Sequence, residues 1–329
     1  MAGIFIESFR KYVSSLGIRF LEKGLLYSFP DNNFAVLLTP AEPSSSHYED
    51  SEERLLRKEL ADADILYLYE DRWFHDMEII QKRIMARLNN FKSIFARKCN
   101  VAYNYNCGNG SLLRSNSNKG AEIREFIDKY HPYGYAKSKF MLSLEYEGQM
   151  VAAAAFSAPR PMPRGAEELT GSFRNSLDGT ANGNTIFDSY EWVRYISLPD
   201  VRVVGGMGKL LDTFIKSMKG RMETNGCAEL RKPIEIMSYS DDEWSSGSTY
   251  LRLGFTEVEH RESVTYFVDK KSHERLSYRK LLINIRERDI NLVDSKLNVI
   301  DEESVSRMIA AGYYTIKNRG SRKFLLQTI

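Results

Sequence analysis

The sequence predicts an α/β protein in which a mixed-sheet domain follows a smaller α/β domain. Three observations carry this. Phe34–Leu38 (FAVLL) and Ile65–Tyr69 (ILYLY) are apolar runs of buried-strand length, set among helical patterns. Phe140–Tyr146 and Gln149–Phe156 flank Glu147-Gly148, which has the composition of a tight hairpin turn. A third strand, Tyr190–Ile196, runs through a glycine-rich turn into a helix over Lys209–Met218.

The remaining elements follow in order. Ser8–Leu16 has amphipathic helical spacing, and Ile18–Phe29 reads as extended chain broken at Gly24. The Pro30-Asp31-Asn32-Asn33 turn starts the FAVLL strand and Pro40 ends it. Residues 43–53 are polar and loop-like, and Ser51 has N-cap character for a charged helix to about Ala61. Asp76–Leu88 places Met77, Ile80, Ile84 and Leu88 on one helical stripe. Residues 101–120, rich in Asn, Gly and Ser, read as a linker, and Ala121–Tyr130 as a helix. Residues 159–186 read as an exposed excursion. Ile234–Tyr239 reads as a strand, Ser248–Leu253 as a short helix and Thr265–Val268 as a closing strand. The boundaries are therefore 1–100, 101–120, 121–274, and a charged extension 275–329 that ends in a hairpin around Gly320.

Composition excludes several classes. The chain has 329 residues, room for two domains, and 43% hydrophobic residues, enough for a real core. Lys and Arg total 46 against 44 Asp and Glu, so any polyanion contact needs a local patch. Cys99, Cys107 and Cys227 form no CxxC pair, which argues against a disulfide framework and a zinc site. No metal is expected. With no apolar run near the roughly 18 residues of a membrane span, and no signal-peptide core at the start, the expectation is a soluble cytoplasmic protein without a membrane partner.

The sharpest motif is Arg202-Val203-Val204-Gly205-Gly206-Met207-Gly208-Lys209, a strand-to-helix turn. Glycines let backbone approach a ligand, and free N–H groups at the positive helix end bind phosphate. Arg202 and Lys209 add charge. A glycine turn that merely caps a helix is the competing reading. A second motif, Ile234–Phe255, reads as strand, polar turn, short helix and Gly-Phe.

Together the two motifs resemble the GCN5-related N-acetyltransferase family. There an R/Q-x-x-G-x-G/A turn follows the fourth strand, matched here by Arg202, Gly205 and Met207, the last standing where the family prefers Gly or Ala. A Tyr-x-x-x-Gly-Phe-like helix end follows the fifth, matched by Tyr250–Phe255. The resemblance implies an acetyl-CoA or other acyl-CoA cofactor on residues 202–209, with its thioester between splayed strands. It implies Tyr250 as general acid, with a packed helix tyrosine as the alternative. Glu191, or Asp188 before it, becomes a candidate general base, against a surface or salt-bridged carboxylate. Ser238, Tyr239, Asp241 and Trp244 follow the fifth strand, where substrates of this fold bind. Arg194, three residues from Glu191, is expected on the opposite strand face.

The order YLYEDRW, FARKCNV, FIDKYHPYG, VAAAAFSAPR, YEWVRY, VVGGMGKLL, IMSYSDDEWSSGSTYLRLGF and AAGYYTIKNRG is similar to phage-borne, homing-endonuclease-like proteins. These join a very-short-patch-repair-like nuclease region to an acetyltransferase-like one. That resemblance implies a restriction-endonuclease-like fold for residues 1–100. Such a site needs paired carboxylates for Mg²⁺. The strand matching the family's Glu is Val36-Leu37-Leu38 here, with only Asp31 and Glu42 nearby, so a degenerate nuclease is expected. His131 in YHPYG and the basic Lys317–Lys323 stretch are lesser candidates, the latter for phosphate. The expected function is an acyl-CoA-dependent N-acyltransferase acting on an amine of a protein, small molecule or nucleic acid. The alternative is a non-catalytic DNA-binding protein.

Overall fold

The computed structural model describes residues 2–41, 63–105, 117–174, 185–224, 233–281 and 302–328. Helix α1 (Ala2–Ser15) precedes β1 (Leu21–Lys23), β2 (Leu26–Phe29), β3 (Phe34–Thr39) and β4 (Asp64–Tyr69). Helices α2 (Glu70–His75) and α3 (Met77–Arg87) lead to β5 (Lys92–Phe95) and β6 (Asn100–Tyr103). Next come α4 (Ser117–Tyr130), β7 (Phe140–Tyr146), β8 (Gln149–Phe156), β9 (Arg160–Arg164) and the short α5 (Gly171–Arg174). The chain continues through β10 (Thr185–Ser197), β11 (Val201–Val204), α6 (Gly206–Thr224), β12 (Ile234–Asp241), α7 (Ser248–Arg252) and β13 (Thr256–Arg261). It closes with β14 (Thr265–Asp269), β15 (Arg275–Leu276), α8 (Glu302–Ala310), β16 (Tyr313–Lys317) and β17 (Ser321–Thr328). The charged helix expected after Ser51, and Glu42, lie outside the described residues.

Two units emerge, each built from discontinuous pieces. The first comprises Met1–Leu88, Asp241–Ser246 and Arg261–Ser321; the second comprises Asn89–Ser240, Gly247–His260 and Arg322–Ile329. In the first, β1, β2, β3 and β4 form a sheet in that order, antiparallel except for the β3–β4 pair. Alternation along β3 sends Val36 and Leu38 to one face, where they join Phe5, Phe9, Trp73, Ile80 and Ile84 from the helices. Ala35 and Leu37 go to the other, against Val268, Tyr314 and Ile316 of a three-stranded β15-β14-β16 sheet.

In the second unit an eight-stranded sheet runs β13-β17-β12-β10-β8-β7-β6, with β9 pairing the start of β10. Its β10–β12 pair is parallel, and β6, β7, β8 and β10 pair antiparallel. Ala152, Ala153, Ala154 and Ala155 of β8 are all fully buried, so both faces of that strand are covered. The Phe214 ring of α6 stacks on Phe156 at 3.9 Å. Strand β11 stands apart, parallel to β5.

Several sequence expectations are corrected. Thr265–Val268 does not close the second sheet, because β14 pairs with β15 and β16 in the first unit. The terminal hairpin around Gly320 does not form either. Its arms enter different sheets: β16 pairs with β14, and β17 lies between β13 and β12. Gly320 takes φ +85°, and a Cβ there would collide with the Arg261 carbonyl, so the position between the two strands requires glycine. Both errors come from pairing strands by nearness in sequence, which apolar patterning does not encode. The linker reading of 101–120 gives way to β6 at one end and α4 at the other. The 275–329 extension is divided between the units rather than separate. Residues 159–186 contain β9, which pairs with Thr185–Ser189. Helix α2 was not expected. Among the described residues no helix is long and apolar enough to cross a membrane.

Candidate active site

Counted along the continuous path of the large sheet, β10 is the fourth strand in chain order and β12 the fifth. Their parallel ladder runs from Asp188↔Ile234 to Glu191↔Met237 and stops there. Both strands continue, to Ser197 and Asp241. At the same level the β10–β8 register shifts between Trp192 and Arg194, leaving Val193 as a bulge that bends β10. The result is a gap in which β10 and β12 run on without pairing to each other. Ser238 begins it: the buried Oγ donates to the Trp192 carbonyl oxygen at 3.0 Å.

Tyr250 reaches this gap from α7. Gly247, with φ +76°, starts the helix, and its carbonyl accepts the Tyr250 N–H. The Tyr250 ring stacks on Phe324 of β17 at 5.0 Å and meets Trp192 and Phe255 edge-on. Its Oη lies 2.9 Å from Ser238 Oγ. Burial pushes the phenol's pKa up, the Ser238 hydrogen bond opposes this, and the net direction is upward, so the hydroxyl keeps its proton at neutral pH.

Beyond β10 the expected turn is in part a strand: Val201–Val204 form β11, paired with β5, and the glycines follow it. Val203 is buried, whereas Arg202 and Val204 are exposed, and Arg202 lies over the Phe91 ring at 5.5 Å. Gly205 takes φ +77°, a conformation that other residues adopt only with strain, and a Cβ there would touch the Ala96 side chain at 3.8 Å. Helix α6 makes its first internal bond from Lys209 N to Gly205 O, so the N–H groups of Gly206, Met207 and Gly208 have no intrahelical acceptor. Met207 packs against the core. Gly206 is glycine for a packing reason: a Cβ would sit 2.8 Å from Tyr195 Oη and 3.1 Å from Val203. Lys209 departs from the expected role, since its ammonium donates to the carbonyls of Ala96 and Cys99 at 2.9 and 2.6 Å and fastens that turn to the helix.

Glu191 stands at the last ladder pair and is half-buried. Tyr190 and Trp192 contact Phe214 and Phe156, so alternation puts Glu191 on the other face of the sheet. Asp188 lies further back, inside the paired stretch. The bulge breaks the alternation assumed for Arg194. Its Nε donates to the Gly134 carbonyl; burial lowers its pKa, and the nearby Glu191 charge opposes that.

The other expected residues separate. Tyr239 is half-buried on β12 beside Ser238. Asp241 and Trp244 belong to the first unit. Asp241 Oδ1 accepts the Glu243 N–H in a turn, and Trp244 packs on the first unit's core with the Arg83 guanidinium 5.3 Å from its ring. His131 Nδ1 accepts the Tyr133 N–H at the end of α4. Lys317 lends its carbonyl to Tyr69, and Lys323 lies 3.7 Å from Glu259. Asp31 is exposed, with Arg19 at 3.9 Å. Cys99 is buried, and Cys107 and Cys227 are outside the described residues. Among the described residues no group of three or more His, Cys, Asp or Glu is placed to hold a metal.

Two buried networks escaped the sequence reading. In the second unit, Glu235 accepts from Arg164 through both oxygens, from Ser189 and from Gln327. Burial pushes its pKa up, but these bonds outweigh burial and hold it below the usual carboxylate value. In the first unit, Arg275 pairs with both Asp71 and Glu243, all nearly without exposure. The charges were visible in the sequence; nothing in their spacing announced these partners.

No protein-family model and no curated protein matches the chain. Solved structures similar to it include a Bacillus subtilis acetyltransferase in complex with CoA, at 10% identity and TM-score 0.30, covering 70% of this chain and 100% of the other. A GNAT family acetyltransferase from Elizabethkingia anophelis with acetyl-CoA bound has 8% identity, the same score, and covers 70% and 98%. A polyamine N-acetyltransferase from Drosophila melanogaster has 13% identity, TM-score 0.23, and covers 61% and 78%. Overlaps of this size carry no argument for an activity.

Proposed function

We propose that the second unit is an acyl-CoA-dependent N-acyltransferase built like the GCN5-related family. One observation carries the reading. The fourth and fifth strands stop pairing after Glu191↔Met237 while both run on, β11, the glycine turn and α6 follow the fourth, and Tyr250 follows the fifth. A gap in which the two strands no longer pair is suited to an extended amide-and-thioester arm lying between them. The α6 N-terminus is suited to a pyrophosphate, with Gly205 at a positive φ ahead of it and Met207 turned onto the core.

Bound acyl-CoA supplies an activated thioester. The residues then divide the proton work by face. Glu191 takes a proton from the acceptor amine on its side of the sheet. Tyr250, on the other side, protonates the departing thiolate. An acid and a base on opposite faces suit a reaction in which the nucleophile enters from one side and the leaving group departs toward the other. For the first unit we propose a scaffold role, the remnant of a nuclease-like domain. The carboxylates that open α2 just after β4 are engaged: Glu70 Oε2 accepts the Ala41 N–H and Asp71 pairs with Arg275.

Calorimetry with acetyl-CoA tests the transferase reading. Saturable binding in the micromolar range is expected, with loss of heat in Gly205→Glu, which puts strain and negative charge into the cradle. Absence of heat from the natural protein at high micromolar ligand overturns it.

A further inference from the structure

The hydrogen bonds at Ser238 have a forced direction. Its Oγ lies 3.0 Å from the Trp192 carbonyl oxygen and 2.9 Å from Tyr250 Oη, and the serine is 1% exposed. A carbonyl oxygen only accepts, and a serine has one proton. Ser238 therefore donates to Trp192, and Tyr250 must donate to Ser238. The chain reads Tyr250 O–H to Ser238 O–H to O=C of Trp192. In this state the tyrosine proton is aimed at a serine. A general acid at Tyr250 needs that proton to turn toward the leaving group, and it needs something to stabilise the oxygen left behind in a pocket of Phe324, Phe255 and Trp192 rings.

We propose that Ser238 is a positioning residue with two donor states, donating to the Trp192 carbonyl while Tyr250 is protonated and to the Tyr250 oxygen once that proton has left. The inference rests on the acyltransferase reading. In the step, the Tyr250 O–H bond breaks and an S–H bond forms on the departing thiolate. Negative charge moves from sulfur to the phenolate. The Ser238 hydroxyl rotates about its Cβ–Oγ bond, releases Trp192 and donates to the phenolate. Solvent later returns a proton to Tyr250, and nothing is oxidised or reduced. The buried Trp192 carbonyl loses its Ser238 partner for the lifetime of the phenolate, a cost that the stronger hydrogen bond to the charged oxygen offsets. A serine that only held the gap together would have no reason to depend on the chemistry of Tyr250.

The experiment compares the natural protein with Ser238→Ala, Ser238→Thr, Tyr250→Phe and the double variant Ser238→Ala/Tyr250→Phe. Acetyl-CoA affinity is measured by calorimetry, and thiol release by colour reaction with hydroxylamine as a small amine probe. Thermal melts confirm folding. Ser238→Ala should bind acetyl-CoA within about threefold of the natural protein and lose about tenfold in kcat, the size of one hydrogen bond to a charged oxygen. Ser238→Thr, which keeps the hydroxyl, should recover most of that rate. The double variant should be no slower than Tyr250→Phe alone, because Ser238 acts only through the tyrosine. If acetyl-CoA binds but the two losses multiply, or Thr fails to rescue in a folded protein, the two-state donor is wrong and the transferase reading survives. If acetyl-CoA does not bind the natural protein, both fall together.

Discussion

Glu243 shows what burial does to one carboxyl group. It is fully buried in the first unit, one oxygen accepts from Arg275 at 2.7 Å, and the other has no hydrogen-bond partner among the described residues. Burial pushes its pKa up to about 7, against the pull of Arg275 and with the push of Asp241 and Asp71. The sign follows directly. The folded state holds this proton more tightly than the unfolded state, so stability falls as pH rises from the ordinary value of 4.5 toward about 7. Urea midpoints taken across that window should decline in the natural protein. Glu243→Gln should flatten the decline, because a neutral amide has no proton to lose. An equal slope in both proteins would show that another group titrates. The same residue-scale logic separates the glycines of the cradle. Gly205 is fixed by its φ of +77°, whereas Gly206 is fixed by the Tyr195 hydroxyl and Val203 beside it.

At the scale of elements, the site depends on β17. This last strand sits between β13 and β12 and brings Phe324 against Tyr250. A Cβ on Gly247, which starts α7, would collide with the same ring, so the helix start and the strand are fitted to each other. Phe324 is fully buried. Phe324→Ala should cost about 3–5 kcal/mol by denaturant unfolding, the usual cost of emptying a buried aromatic site. It should also lower kcat more than it weakens acetyl-CoA binding, because the tyrosine loses its platform while the α6 cradle is untouched. A drop in affinity with kcat preserved would remove Phe324 from the support of the acid.

Across the whole molecule, connectivity sets the limits on dissection. The sheet of the second unit contains strands from Asn100–Tyr103 to Ser321–Thr328, and the run Arg261–Ser321 of the first unit comes between β13 and β17 in sequence. A chain ended at residue 274 keeps every motif of the acyltransferase resemblance. It should nevertheless fail to fold cooperatively, since it lacks β17 and leaves the β12 and β13 edges unpaired. Circular dichroism melts should show a broad, shallow transition where the full chain gives a sharp one. A sharp melt from the shortened chain would mean that β17 is dispensable.

Local physics made much of this legible in the sequence. Period-two and period-3.6 apolar patterns located the hairpin Phe140–Phe156, the FAVLL and ILYLY strands and the α3 stripe. Turn chemistry placed the glycine cradle at a helix start, and motif order put Tyr250 after the strand that follows it. These features depend on residues near one another in the chain. Tertiary structure decided the rest. Which strand β14 or β17 would join, and how Ser238, Trp192, Tyr250 and Phe324 meet, depend on long-range pairing that alternation alone does not specify. Lys209 shows the same division. Its place in the motif announced a cation at the helix start, but only the folded chain could set the carbonyls of Ala96 and Cys99 within reach of it.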